Sequence, residues 1–224
     1  PIVAKLFVDD WENDKDPMKI RIRKAIDKAR KIPKKGAEIC FSGGCGHTWA
    51  APDVVYATIS ILEEAKEDFI VIGNPEYCCG MVYIVMGFLD LWLQQTYNLM
   101  QKYRELKPRP KNLLLHCPGC YTVHTFDLSK YGITLPLTYL REMQDPIKIM
   151  HVNEYNLQLI KEGKIELKHE IPLTVTYNDN CSLGRRMASS GRSVYDEPRE
   201  ILESIPGIKL VESDFTHENA FCCG

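Results

Sequence analysis

Nine cysteines are spread along the 224 residues in a spacing that points to metal chemistry. Cys45 is followed after 32 residues by the vicinal pair of Cys78-Cys79-Gly80, and Gly80 after 36 residues by Cys117-Pro118-Gly119-Cys120. Later, Cys181 is followed after 40 residues by Cys222-Cys223-Gly224. A vicinal pair can close a disulfide only through a strained eight-membered ring that includes the peptide bond, so its thiolates are better placed on neighbouring metal ions. Soft sulfur donors select iron-sulfur groups or zinc. The set Cys45, Cys78, Cys79, Cys117 and Cys120 exceeds by one the four donors of a tetrahedral zinc, which favours an iron-sulfur assembly. Cys40, inside an apolar run, reads as a buried small side chain and accounts for the odd count.

The pattern around the cysteines shows how they are carried together. Asp16-Pro17 opens an amphipathic helix with Ile22, Ala25, Ile26 and Ala29 on one face. Glu38 to Phe41 reads as a strand running into Ser42-Gly43-Gly44-Cys45-Gly46, Pro52 opens a second helix, and Phe69 to Ile72 is the next strand. One long helix is expected from about Met81 to Leu106, then a strand at Leu113 to Leu115. Each cluster of thiols thus falls just past the carboxyl end of a strand, where open α/β sheets bind ligands. After Pro136 the plan repeats: a strand-helix pair (Ile147 to His151, Asn153 to Lys161), a strand Leu173 to Tyr177 leading to Cys181, a helix Pro198 to Ile205 and a strand Ile208 to Glu212. The two Cys-Cys-Gly sites lie 144 positions apart and their leading cysteines 136, an internal duplication.

Composition narrows the field. Lys and Arg number 28 against 30 Asp and Glu, so no charge excess draws the chain to nucleic acid or an anionic membrane. The most apolar run, Met81 to Leu93, is too short to cross a bilayer and contains Asp90. Pro1 to Val8 lacks the organisation of a signal peptide, and the expected location is the cytoplasm, in a complex that could reach a membrane through a partner.

The array of Cys45, Cys78-Cys79-Gly80, Cys117-x2-Cys120, Cys181 and Cys222-Cys223-Gly224, with Asn178-Asp-Asn-Cys181, Pro198-Arg-Glu-Ile-Leu202, Pro206-Gly207 and Glu218-Asn-Ala-Phe-Cys222, resembles the duplicated CCG (cysteine-rich) domain family. That family includes the catalytic subunit of heterodisulfide reductase and iron-sulfur subunits of anaerobic glycerol-3-phosphate dehydrogenase, glycolate oxidase and lactate-utilisation systems. The resemblance implies an α/β fold of duplicated CCG domains, each a small, mainly parallel sheet flanked by helices, divided as an N-terminal segment 1–36, a first domain 37–135 and a second domain 136–224. It implies a noncubane 4Fe-4S cluster on Cys45, Cys78, Cys79, Cys117 and Cys120, and cofactor ligands also at Cys181, Cys222 and Cys223. The function implied is reduction of a small-molecule or protein disulfide, with electrons from a partner subunit carrying ferredoxin-type clusters and from a flavin subunit. The alternatives are an electron relay between a flavin dehydrogenase and a quinone or carrier, and a zinc-bound docking module. The second repeat lacks a final Cys-x2-Cys, so the chain is expected to continue past Gly224 and complete a second cluster there.

Other features have plainer readings. Cys117-Pro-Gly-Cys120 could be a thioredoxin-like dithiol, but that leaves Cys45, Cys78 and Cys79 unexplained. The glycine turn at Gly43 to Gly46 matches no phosphate-binding motif. His47, His116 and His124 flank the thiol loops as possible proton donors or simply as locally satisfied side chains, and Arg185 and Arg186 as charge offsets or solvated surface. Met81, Met86, Phe88, Trp92, Tyr97 and Met100 are read as core or subunit interface.

Overall fold

A computed structural model describes residues 15–32, 37–73, 77–125 and 147–222. Four short apolar strands, β1 (Ile39–Ser42), β2 (Phe69–Ile72), β3 (Asn112–Leu115) and β4 (Lys148–His151), form one parallel sheet in the order β2-β1-β3-β4. Their registers pair Ile39 with both Phe69 and Asn112, and Asn112 with Lys148. Apart from polar residues at their ends (Ser42, Asn112, Lys148 and His151) the strands are apolar, because a parallel sheet is covered on both faces. Side chains alternate accordingly. Cys40, Ile70, Leu113, Leu115 and Ile149 face one core, and Ile39, Phe41, Phe69, Leu114 and Met150 face the other.

Helices α1 (Pro17–Lys31), α2 (Cys45–Ala50) and α3 (Pro52–Glu64) precede β2, followed by α4 (Met81–Val85), α5 (Leu89–Glu105), α6 (Pro118–Thr125) and α7 (Val152–Lys161). The second core is covered by Val55, Ile59 and Leu62 of α3 and by Tyr155 and Leu159 of α7. The first is covered by Trp92, Leu99 and Tyr103 of α5 and Tyr121 of α6, and also by Leu183, Met187 and Val194 from further along the chain. The chain therefore leaves the neighbouring strands β1 and β3 toward opposite faces, which opens a crevice between their carboxyl ends.

A second, two-stranded parallel sheet pairs β5 (Thr174–Val175) with β6 (Lys209–Leu210), with α8 (Arg185–Ala188) and α9 (Asp196–Ser204) between them. A parallel strand pair with two helices between its strands thus occurs twice in an α/β fold: β1 and β2 around α2 and α3, and β5 and β6 around α8 and α9. The expected boundary at residue 136 lies outside the described residues, but β4 and α7, just beyond it, complete the first sheet: Ile149 and Met150 fill its two cores. The expected long helix from Met81 to Leu106 is broken at Met86-Gly87-Phe88, where Gly87 adopts φ 80°. Apolar periodicity continues through that glycine, which is why the pattern alone does not reveal the break. Strands 173–177 and 208–212 shrink to two paired residues each.

Candidate metal centre

The crevice is where the thiols gather. Cys45 is the first residue of α2, Cys78 and Cys79 follow β2, and Cys117 and Cys120 flank the start of α6 after β3. Glycine makes the approach possible. Gly44 has φ 73°, and a Cβ there would lie 2.7 Å from Cβ of Cys117 and 3.3 Å from Sγ of Cys120. The left-handed Gly80 donates its N–H to Sγ of Cys78 at 3.5 Å, and Gln95 of α5 donates to the Cys78 carbonyl at 3.0 Å.

The thiols are linked pairwise. Sγ of Cys120 lies 3.3 Å from Sγ of Cys79. Cys45 is held down to a pKa of about 6, chiefly by a hydrogen bond from the Cys78 thiol, which is itself raised by the same bond. Cys117 is held down to about 4 by the thiol of Cys120 and then by His47, while Cys120 is pushed up by Cys117 and Cys79. In the Cys45–Cys78 and Cys117–Cys120 contacts, one thiol is thus held low and its partner raised by the same hydrogen bond. Cys79 and Cys120 are buried, whereas Cys45, Cys78 and Cys117 are half-buried at the mouth. Cys40 is wholly buried in the sheet, its thiol raised by burial alone.

Histidines ring the site. The rings of His47 and His116 meet edge-on at 4.5 Å, and Nδ1 of each is buried without a hydrogen-bond partner. Burial lowers His116 to about 3. His124 is fully enclosed on α6 and lowered to about 4 by burial. Its Nδ1 donates to the Cys120 carbonyl at 2.7 Å, so Nε2 accepts from the Tyr103 hydroxyl at 3.0 Å. That arrangement makes it an anchor of the Cys120 turn. His151, at the end of β4, is a site neighbour that sequence reasoning missed, although a histidine ending a strand is signal enough. Its Nε2 meets the His116 carbonyl at 3.0 Å.

In the second repeat, Sγ of Cys181 and Sγ of Cys222 lie 3.6 Å apart, while Cys223 falls outside the described residues. A buried ion pair, also unforeseen from sequence, ties the two thiol segments together. Arg199 of α9 donates twice to Asp179, at 2.8 and 2.7 Å, and to Glu212, while Asp179 also accepts the His217 N–H at 2.7 Å. Arg185 donates to the carbonyl of Ala220 at 2.6 Å, so it clips the backbone before Cys222; Arg186 is exposed.

Among the described residues, no three Cys, His, Asp or Glu side chains are grouped to chelate one ion. A donor set of linked thiol pairs, drawn together by a glycine whose missing Cβ lets its backbone approach Cys117 and Cys120, fits a polynuclear iron-sulfur group better than a single tetrahedral ion. The donors available to it are the five cysteines of the crevice.

Fold and site together define an α/β protein with a core on each face of its sheet and a convergent cysteine centre at its switch point. The chain belongs to the CCG cysteine-rich domain family, whose profile matches residues 39–123 and 175–224. It is 31% identical over 195 residues to a chain of the dihydromethanophenazine:CoB–CoM heterodisulfide reductase of Methanosarcina mazei, covering 87% of this chain and 44% of that one. It is 42% identical over 203 residues to the probable iron-sulfur-binding oxidoreductase FadF of Bacillus subtilis, covering 89% and 26%. It is 28% identical over 189 residues to a chain of the fumarate reductase (CoM/CoB) of Methanothermobacter marburgensis, covering 84% and 33%. The chain spans less than half the length of these relatives. No solved structure matches it. Among the described residues, no helix is long and apolar enough to cross a membrane.

Proposed function

We propose that the chain is the iron-sulfur subunit of a heterodisulfide-reductase-like oxidoreductase, holding a noncubane 4Fe-4S cluster on Cys45, Cys78, Cys79, Cys117 and Cys120. The observation that carries this reading is the convergence of thiols from three strand ends in one crevice, with Cys79 and Cys120 in contact and the backbone of Gly44 pressed against Cys117 and Cys120. When bound, such a cluster supplies one-electron transfer and iron with an affinity for sulfur. The chain's own residues do the rest. Cys45 and Cys117 offer ready thiolates, the buried Cys79 and Cys120 keep water from the inner side, and the half-buried thiols leave the mouth open to a disulfide. Electrons come from a partner subunit with ferredoxin-type clusters, in turn fed by a flavin subunit, and the complex works in the cytoplasm or against a membrane through its partner. Cys181, Cys222 and Cys223 are ligands of a second site.

Anaerobic purification followed by iron, sulfide and zinc analysis with EPR tests this. Iron and sulfide with an EPR signal that changes on adding a disulfide is the expected result; stoichiometric zinc without iron overturns it in favour of the docking module. Similarity to the EtfAB:quinone oxidoreductase of Syntrophomonas wolfei, 26% identical over 168 residues, supports a second reading, an electron relay between a flavin dehydrogenase and a quinone or carrier. An EPR signal indifferent to disulfides selects it.

A further inference from the structure

Immediately after Cys78-Cys79-Gly80 the surface turns apolar. Among the described residues, Val82 is 60% exposed, Val85 72%, Met86 63%, and Phe88, Leu89 and Leu91 each about half. The broken helix creates this face. Trp92, Leu99 and Met100 of α5 turn inward to the core, whereas α4 and the turn at Gly87 lift their apolar side chains into solvent. With side chains of roughly 150–250 Å² each, these exposures, together with those of Tyr83, Leu93 and Tyr97, sum to roughly 800 Å². That is about what one partner contributes to a stable protein interface.

We propose that this ridge is the docking face for the partner protein that exchanges electrons with the crevice, and that the partner meets it with an uncharged, apolar surface. The inference rests on the function proposed above. Two features of the ridge favour that occupant. It lies against the site: Val82 is three residues from Cys79, so their Cα atoms are within about 11 Å of each other. α4 also packs on the helix that bears Cys120, with Met81 against Gly119. A protein seated here therefore brings its own redox centre near the thiols. The chemistry is also one-sided. From Cys78 to Gln101 there is no Lys or Arg and only one acid, Asp90. A lipid surface is ordinarily met by apolar residues interspersed with basic ones that engage anionic headgroups, and those are missing.

Site-specific photocrosslinking from position 85 in cells that make the complex tests the assignment, with position 173, an apolar residue exposed in the second repeat, as control. A crosslinked peptide from an iron-sulfur or flavin oxidoreductase subunit, obtained from 85 and not from 173, is expected. In addition, Val85→Asp with Leu89→Asp should slow partner-driven reduction of the purified complex at least tenfold, while iron content and reduction by dithionite stay unchanged. Crosslinks to a second copy of this chain, co-sedimentation with vesicles of phosphatidylcholine and phosphatidylglycerol that the double variant abolishes, or undiminished partner-driven reduction each overturn the proposal. Iron content and the dithionite-reduced spectrum report separately on the cluster, so failure of the docking face and failure of the functional reading are told apart.

Discussion

Cys40 and Cys79 are both buried cysteines, yet they differ in what surrounds the sulfur. Cys40 packs among the apolar side chains of the sheet, whereas Cys79 touches the thiol of Cys120. Cys79→Ser or Cys120→Ser should therefore cut iron content by more than half in anaerobic preparations, while Cys40→Ala keeps its iron and loses about 1 kcal/mol of stability in urea. His151 carries a pH dependence of its own. Burial lowers its imidazole to about 4, against about 6.5 in the unfolded chain. Between those values the unfolded state takes up a proton that the folded state refuses, so stability is full above about 6.5 and falls as the pH drops toward 4. His151→Asn keeps a side-chain acceptor at the start of α7, where His151 accepts the Asn153 N–H. The wild type should lose about 2 kcal/mol more than this variant between pH 7 and 5, read from urea midpoints.

At the level of elements, the turns that present the thiols depend on backbone clearance and on ion pairs. Gly44→Ala places a methyl 2.7 Å from Cβ of Cys117 in a left-handed conformation, and the close neighbour is the root of a side chain proposed to hold the cluster. It should destabilise the protein by about 2 kcal/mol or more and lower iron occupancy. Arg199→Gln leaves Asp179 buried without its partner, a loss of about 3–5 kcal/mol for a buried pair. Hydrogen exchange should quicken through residues 175–222 while β1 to β3 stay protected, and Arg199→Lys should not rescue it because one ammonium cannot make the paired contacts to Asp179. Strands β1, β2 and β3 and the thiol turns after them are legible in sequence because apolar runs and Gly-Cys turns are local signals. The break at Gly87 is not, because apolar spacing runs unbroken through it. Nor are the Asp179–Arg199 pair and the Tyr103–His124 contact, which join residues about twenty positions apart and leave no periodic trace.

For the molecule as a whole, the departure of the chain from β1 and β3 to opposite faces places the centre in a crevice that no single loop could build. The halves are not separate. β4 borders β3, and Leu183, Met187 and Val194 pack into the first core. Cutting the chain after residue 135 bares the edge of β3 and removes Ile149 and Met150, so the shortened protein should lose cooperative thermal unfolding by circular dichroism and aggregate. The period of repetition and the border of folding therefore do not coincide. Recombination that exchanged one copy for another at residue 136 would carry off a strand belonging to its neighbour, whereas a crossover in the segment between α7 and β5 would keep all four strands together but replace Leu183, Met187 and Val194, which that sheet's core requires. Exchange among members of such a lineage then breaks the sheet itself at the first joint, and at the second succeeds only when the incoming copy brings side chains that fit the same core.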